Sequence, residues 1–285
     1  MADAREHVLD GSQGSIVVRE WPSRGRPRYV ALVVHGYGEH VGRYAEVADV
    51  LVRHGAAVFG PDHVGHGRSA GERVLIEDFE DVVADVHAVA GLARAAHPDV
   101  PVVMVGHSMG GLIAARYAQL HGDGLAALVL SGPVIGDWEL PRRLLALDEI
   151  PDTPISPAAL SRNPEVGAAY VADPLVWHGP MKRPTVEAFA RMLDTVSKGG
   201  GIGSLPLLWL HGEDDRLVPL AGSRVGVEEL RGGEASEDIH AERISAERIS
   251  AEHIYPGARH EVFNETNKAD VFADLVHFLD AALAH

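Results

Sequence analysis

Apolar residues along this chain recur in two patterns. Short unbroken runs at 29–34, 56–59, 102–105, 125–130 and 205–210 are too short for helices, and each ends within two residues of a glycine. Runs of that kind predict strands buried on both faces. Residues 15–21 predict a further strand ahead of them, and 254–255 resume strand character near the end. Between the runs the spacing turns helical. Val47, Val50 and Leu51 share one side of 43–54, and Phe79, Val82, Val83, Val86, Val89, Ala90 and Ala93 share one side of 79–96 with acidic residues opposite. Residues 110–121 and 269–283 complete the predicted helices.

Strand–helix–strand alternation implies right-handed crossovers and a mostly parallel sheet, so the fold class is α/β. The alternation breaks off between 134 and 204, where the pattern is helical, interrupted by proline and without a clear strand. The predicted organisation is a core in two parts, 1–133 and 205–285, with a helical cap or lid inserted at 134–204. Open parallel sheets carry their ligands at the carboxyl edge of the strands, where such a cap would lie. One stretch is repetitive. His240-Ala-Glu-Arg-Ile, Ser245-Ala-Glu-Arg-Ile and Ser250-Ala-Glu-His-Ile are near-copies. Their period of five matches neither a helical nor a strand face, and reads as an expansion in a surface loop.

Composition narrows the function classes. A hydrophobic fraction of 46% supports a sizeable core. A formal net charge of −16 argues against a nucleic-acid partner, since phosphate binding needs a basic face. It also leaves only apolar contact, through the cap, as a route to transient membrane or micelle association. With no cysteine, disulfides, thiolate metal sites and Cys nucleophiles are excluded. The N-terminus is polar, with no signal-peptide pattern and no apolar run of transmembrane length, so a cytoplasmic location is the expectation. Oligomeric state leaves no mark in the sequence.

The most informative segment is Val102-Val-Met-Val-Gly106-His107-Ser108-Met109-Gly110-Gly111. It is a G-x-S-x-G match with a buried strand before it and a helix after it, the setting in which a serine is held on a sharp turn with its hydroxyl clear of the sheet. Glycines flank Ser108 because a Cβ there would meet neighbouring backbone. The alternative reading is a Gly-rich turn that happens to carry a serine.

A serine hydroxyl needs a base to take its proton, and in this setting an acid and then a histidine follow it in the chain. Among 17 histidines, His260 follows the last predicted strand in a loop that can reach Ser108. His35 and His211 end strands within His-Gly and read as structural hydrogen-bonders. His63 and His66 lack a supporting carboxylate cluster, so neither a metal nor a cofactor is expected. Glu213, Asp214 and Asp215 follow the 205–210 strand, and spacing from His211-Gly favours Asp215 over Asp214, with Glu213 last. The oxyanion hole would use the backbone N–H groups of Met109 and of Tyr37, in the loop after the 29–34 strand.

Five blocks in this order resemble the monoacylglycerol lipase family: His35-Gly-Tyr-Gly-Glu-His40-x-Gly-Arg43-Tyr44, Asp62-His-Val-Gly-His-Gly67-x-Ser69, Gly106-His-Ser-Met-Gly-Gly111, Ala169-Tyr170-x-x-Asp173-Pro174-Leu175 and His260-Glu-x-x-Asn264-Glu265. The resemblance runs from about residue 15 to the C-terminus. It implies an eight-stranded α/β-hydrolase core, a cap lining an acyl-chain tunnel, and cleavage of monoacylglycerol to fatty acid and glycerol. It also implies that Glu39 and Arg43 order the oxyanion loop or line the polar end of a substrate pocket. Tyr37 departs from the family pattern, which usually has a small residue there.

Other readings stay open at this level. Lysophospholipid or a broad range of carboxylic esters would suit the same machinery, and a C–C hydrolase or acyltransferase would share the Ser-acid-His set. A non-catalytic ligand-binding domain normally lacks one of these residues. Dehalogenase and epoxide-hydrolase chemistry uses Asp where this chain has Ser108.

Overall fold

The computed structural model describes residues 4–233, 242–245 and 248–284. Their strands are β1 (Arg5–Gly11), β2 (Gly14–Trp21), β3 (Tyr29–Val34), β4 (Ala56–Pro61), β5 (Val102–His107), β6 (Ala127–Ser131), β7 (Leu207–Gly212), β8 (Glu242–Ser245) and β9 (Arg248–Tyr255). All join one sheet in the order β1-β2-β4-β3-β5-β6-β7-β9-β8. The run from β4 to β9 is parallel throughout, while β1, β2 and β8 add antiparallel pairs at the two edges. This is the mostly parallel α/β-hydrolase sheet, with one more strand than the eight implied by resemblance.

Strands β3 to β7 are buried along their whole length because helices cover both faces. Successive side chains alternate between the faces. Val30, Leu32, Met104 and Leu130 pack with α2 (Phe79–Ala96) and α3 (Met109–His121). Ala31, Val33, Val105 and Val129 pack with α1 (Ala45–Arg53) and α9 (Lys268–Ala282). Between β6 and β7 the chain forms α4 (Leu140–Leu145), α5 (Pro157–Leu160), α6 (Pro164–Ala172) and α7 (Arg183–Lys198), with no strand among the described residues. Helix α7 buries Phe189 against Phe79 and Trp138, with ring centroids 4.8 and 5.3 Å away. A further helix, α8 (Leu220–Leu230), follows β7. No helix among the described residues is long and apolar enough to cross a membrane.

Three features differ from the sequence reading. The helix expected at 43–54 opens as a 3-10 turn over Val41–Tyr44 before α1 begins. β1 was hidden by its polarity: an edge strand pairs on one side and leaves much of its length to solvent, so it needs no apolar run. The repeats do not form only a surface loop. The third copy supplies most of β9, which pairs in parallel with β7, and parts of the first two supply β8 and the start of β9. Ladder hydrogen bonds come from backbone, so a five-residue period is no obstacle to them. His240, Ala241, Ala246 and Glu247 of the repeats lie outside the described residues.

Candidate active site

Tyr37, Ser108, Asp215 and His260 each lie in a segment that follows the carboxyl end of a parallel strand. Ser108 joins β5 to α3 with φ 55° and ψ −118°, a conformation a non-glycine residue holds only under constraint. The constraint is visible around it. Ser108 donates its N–H to Ser131 O at 3.0 Å, and its own carbonyl accepts from Gly111 and Val134 at 2.9 and 3.1 Å. A Cβ on Gly110 would lie 2.0 Å from Val34 O, and one on Gly106 would lie 2.4 Å from Gly110 O. The crossing of β3, β5 and α3 is therefore too tight for any side chain at these two positions. Met109 opens α3, so its N–H belongs to the first helical turn, where no intrahelical acceptor exists.

The β3 loop approaches from one side. Gly36 lies so close that a Cβ on it would be 3.3 Å from Ser108 Cβ. Its N–H donates to Glu39 Oε1 at 2.7 Å, and its carbonyl accepts from His35 Nδ1 at 2.8 Å. Trp177 N–H, from the segment between α6 and α7, donates to Gly38 O at 2.7 Å. These bonds set the course of the backbone through Tyr37. The Tyr37 ring is packed edge-on against His66 and Phe189, at 5.8 and 6.1 Å between centroids, and burial pushes its hydroxyl pKa up.

His260 approaches from the other side, in the loop after β9. Its Nδ1 is 2.7 Å from Asp215 Oδ2, and both residues are buried. Gly132 leaves room for the ring: a Cβ there would be 3.2 Å from His260 Nδ1. The ring also lies 4.7 Å from that of His107, the residue before Ser108. Asp215 Oδ1 accepts from the N–H groups of Leu217 and Val218, each at 2.9 Å. Trp209 Nε1–H donates to His211 Nδ1 at 3.1 Å, so His211 carries its proton on Nε2, which donates to Val218 O and lies 3.4 Å from Asp215 Oδ2.

The electrostatics follow. Burial pushes the Asp215 carboxyl up, but the His260 charge and the bonds from His211 and His260 outweigh it and hold the group well below the carboxylate range. Burial pulls His260 down, yet Asp215 overcomes this and its pKa is raised. His107 is drawn to about 3 by burial and by His260, so it is neutral.

The structure thus places Ser108, Asp215, His260, Met109 and Tyr37 on segments that follow the carboxyl ends of strands of the same sheet, with Asp215 and His260 in direct contact. Asp214 and Glu213 are exposed, and Asp214 engages through its backbone N–H with Ala258 O at 2.9 Å. His63 and His66 are buried beside His35 below the β3 loop, and no group of three His, Asp or Glu among the described residues is placed to hold a metal.

Glu39 and Arg43 lie behind the loop, in a buried ionic cluster that the sequence did not show as a unit. Arg43 Nη1 bonds Glu39 Oε2, and Nη1 and Nη2 grip Glu261 at 2.8 and 3.0 Å. Tyr44 Oη donates to Glu39 Oε1 at 2.6 Å, and Asn264 Nδ2 to Glu261 Oε2 at 2.7 Å. Burial would raise the Glu39 pKa, and Arg43 lowers it below its ordinary value. Glu261 belongs to the His260-Glu-x-x-Asn264-Glu265 block, but the sequence assigns it no role and does not show its pairing with Arg43.

The chain is also similar to known proteins. Residues 25–267 match the family model described as serine aminopeptidase, S33. A monoacylglycerol lipase of Mycolicibacterium smegmatis is 36% identical over 284 residues, covering 96% of each chain. A monoglyceride lipase of Rattus norvegicus is 34% identical over 232 residues, covering 78% of this chain and 77% of its own. The crystal structure of a Paleococcus ferrophilus monoacylglycerol lipase superposes with a TM-score of 0.75 at 25% identity, covering 94% of this chain and 99% of that one. On the strength of the full-length match and the shared fold, the chain belongs to the monoacylglycerol lipase family of α/β-hydrolases.

Proposed function

We propose that this chain is a serine ester hydrolase that splits monoacylglycerol into fatty acid and glycerol through an acyl-enzyme on Ser108. The observation that carries the reading is the buried 2.7 Å contact between His260 Nδ1 and Asp215 Oδ2 beside the strained Ser108 turn. With its Nδ1 proton committed to Asp215, His260 offers the lone pair of Nε2 to the Ser108 hydroxyl. Attack on the ester carbonyl places negative charge on oxygen, which the N–H groups of Met109 and Tyr37 receive. Such a donor is typically worth about 3 kcal/mol in the transition state. The imidazolium then protonates the departing alcohol, and water deprotonated by His260 releases the acid.

Relatives in two distant organisms are named for monoacylglycerol, which favours that substrate over lysophospholipid, the nearest alternative. An aminopeptidase, suggested by the name of the family model, needs an acid free to hold the substrate ammonium. Glu39, the carboxylate beside the oxyanion loop, has both oxygens committed to Gly36, Tyr44 and Arg43. We also assign 134–204 as the cap. Its exposed Leu147 and Val171 would supply transient contact with a micelle or membrane holding the substrate.

The test is turnover of monoacylglycerol, di- and triacylglycerol, lysophosphatidylcholine and a peptide amide by the wild type and by Ser108→Ala. Monoacylglycerol should be the best substrate and the variant should be inactive with an unchanged melting temperature. Full turnover by the variant would sink the mechanism, and a preference for lysophosphatidylcholine would move the substrate class.

A further inference from the structure

Two separate pieces of backbone must be held in register for the proposed chemistry: the Gly36–Tyr37 turn after β3 and the His260 loop after β9. They come from opposite halves of the chain, and one side chain touches the supports of both. Glu39 takes the Gly36 N–H on Oε1 and Arg43 on Oε2. Glu261, bonded covalently to His260, takes both terminal nitrogens of the same Arg43. All three side chains are buried, at 12% exposure for Arg43 and 6% for each glutamate. The void beside them measures only about 10 Å³, room for about one water. A substrate hydroxyl group carried on a chain does not fit there, and the carboxylate oxygens facing it are already engaged.

Resting on the ester-hydrolase reading above, we propose that Arg43 is a positioning residue that clamps the oxyanion loop to the loop of the catalytic base, with Glu39 and Glu261 as its two jaws. A planar guanidinium suits this use, since it can face two carboxylates with fixed angles where an ammonium would act as a point charge. Its face is closed by the Tyr170 ring, 5.2 Å from the guanidinium carbon. Further bonds stiffen the jaws: Tyr44 and Asn264 each hold one glutamate, and Glu261 N–H donates to Leu160 O at 2.8 Å. On this reading Glu39 and Arg43 do not contact substrate.

The clamp also sets the charge around His260. Facing the imidazole are Asp215 from the β7 loop, neutral His107 from β5, Glu39 from the β3 loop and Glu261 from its own loop, with Arg43 between the two glutamates. His211 stands behind Asp215. Glu261 and Glu39 both favour the protonated imidazole, and a guanidinium held between them opposes it as any nearby like charge does. Removing the Arg43 charge must therefore raise the proton affinity of His260, and neutralising Glu261 must lower it.

Two measurements on the full chain test this. In hydrogen–deuterium exchange, which needs no substrate, Arg43→Met should loosen 36–40 and 260–264 together. Loosening of one loop alone overturns the clamp. In steady-state hydrolysis of a p-nitrophenyl ester, Arg43→Met and Glu261→Gln should each lower kcat at least tenfold with KM within twofold. Arg43→Lys should recover only part of the loss. The acid limb of kcat/KM should move to higher pH in Arg43→Met and to lower pH in Glu261→Gln. A raised KM with unchanged kcat assigns these residues to substrate binding instead, and limbs that move together remove the charge argument. Should Arg43→Met not fold, Glu261→Gln keeps shape and the Asn264 contact and carries the same kinetic and exchange readouts. An inactive wild type would refute the ester-hydrolase reading alone, since exchange still reports the clamp.

Discussion

Replacing Asp215 by Asn changes one oxygen for nitrogen, and the structure determines which one. Leu217 and Val218 each donate an N–H to Oδ1 at 2.9 Å, so the amide must keep its oxygen on that side. Its NH2 then faces His260 Nδ1, 2.7 Å away, and also the Nε2–H of His211, 3.4 Å away. His211 cannot adapt, because Trp209 donates to its Nδ1 and fixes its tautomer. His260 can adapt: it moves its proton to Nε2 and accepts at Nδ1. That tautomer has no lone pair toward Ser108, and the imidazolium also loses its counter-charge. The loss should approach the roughly 10⁴-fold in kcat typical of this change in Ser-His-Asp sites, about 5.4 kcal/mol of transition-state stabilisation. The Oδ1 bonds are retained while the ion pair and the His211 contact are lost, so the variant should stay folded with a lowered melting temperature. Asp214→Asn, at an exposed side chain, should lie within twofold of the wild type. Stopped assays of kcat with thermal melts decide the matter. Asp215→Asn retaining more than about a tenth of wild-type kcat, or Asp214→Asn being the more damaging, refutes the assignment of the acid.

Gly110→Ala forces a Cβ to 2.0 Å from Val34 O and should cost about 3 kcal/mol or more, read as a fall in melting temperature; an unchanged melt contradicts the packing. Gly132→Ala, at φ 49° and 3.2 Å from His260 Nδ1, should displace the base and lower kcat at least tenfold, checked by ester turnover against pH. Because His260 must be neutral to act and its pKa is raised, the acid limb of kcat/KM should fall above the unperturbed value of about 6.5. Linkage gives the matching stability trend. The raised His260 contributes fully below about pH 6.5 and loses that contribution as pH rises through its folded value. The depressed Asp215 contributes above about pH 4 and loses its share as pH falls. The stability gap between wild type and His260→Gln should therefore narrow from pH 6 to 9.

The parts of the fold legible in the sequence are those whose cause is local. Strands β3 to β7 are buried on both faces and announce themselves as apolar runs. The Ser108 turn announces itself because only glycine fits at 106 and 110. Strand β1 and the repeat-derived β8 are held by backbone pairing at the sheet edges, which imposes little on side-chain type. Residues 43 and 44 of the 3-10 turn fall inside the segment predicted as helix, because the apolar period alone does not distinguish the two. Glu261 illustrates the limit in the site. Its partner Arg43 is 218 residues away, and nothing in either neighbourhood announces the pairing.

The histidines carry the same lesson into the chemistry. Burial drives imidazole toward the neutral form, and it is the largest cause of the lowered pKa of His35, His63, His66 and His107, with neighbouring cations and imidazoles adding to it. His260 is as buried as these, yet its pKa moves upward. The main difference is the carboxylate placed against Nδ1 after β7, from a position 45 residues earlier in the chain, with Glu261 and Glu39 adding to it. A base that gathers the serine proton must tolerate positive charge where its neighbours do not. Asp215 stays ionised in that buried place because the His260 charge and the bonds from His211 and His260 outweigh desolvation, while two loop N–H groups occupy its other oxygen. Sequence can nominate both residues from their order after Ser108. What sets one histidine among 17 apart as the proposed base is the convergence of strand ends that the parallel sheet imposes.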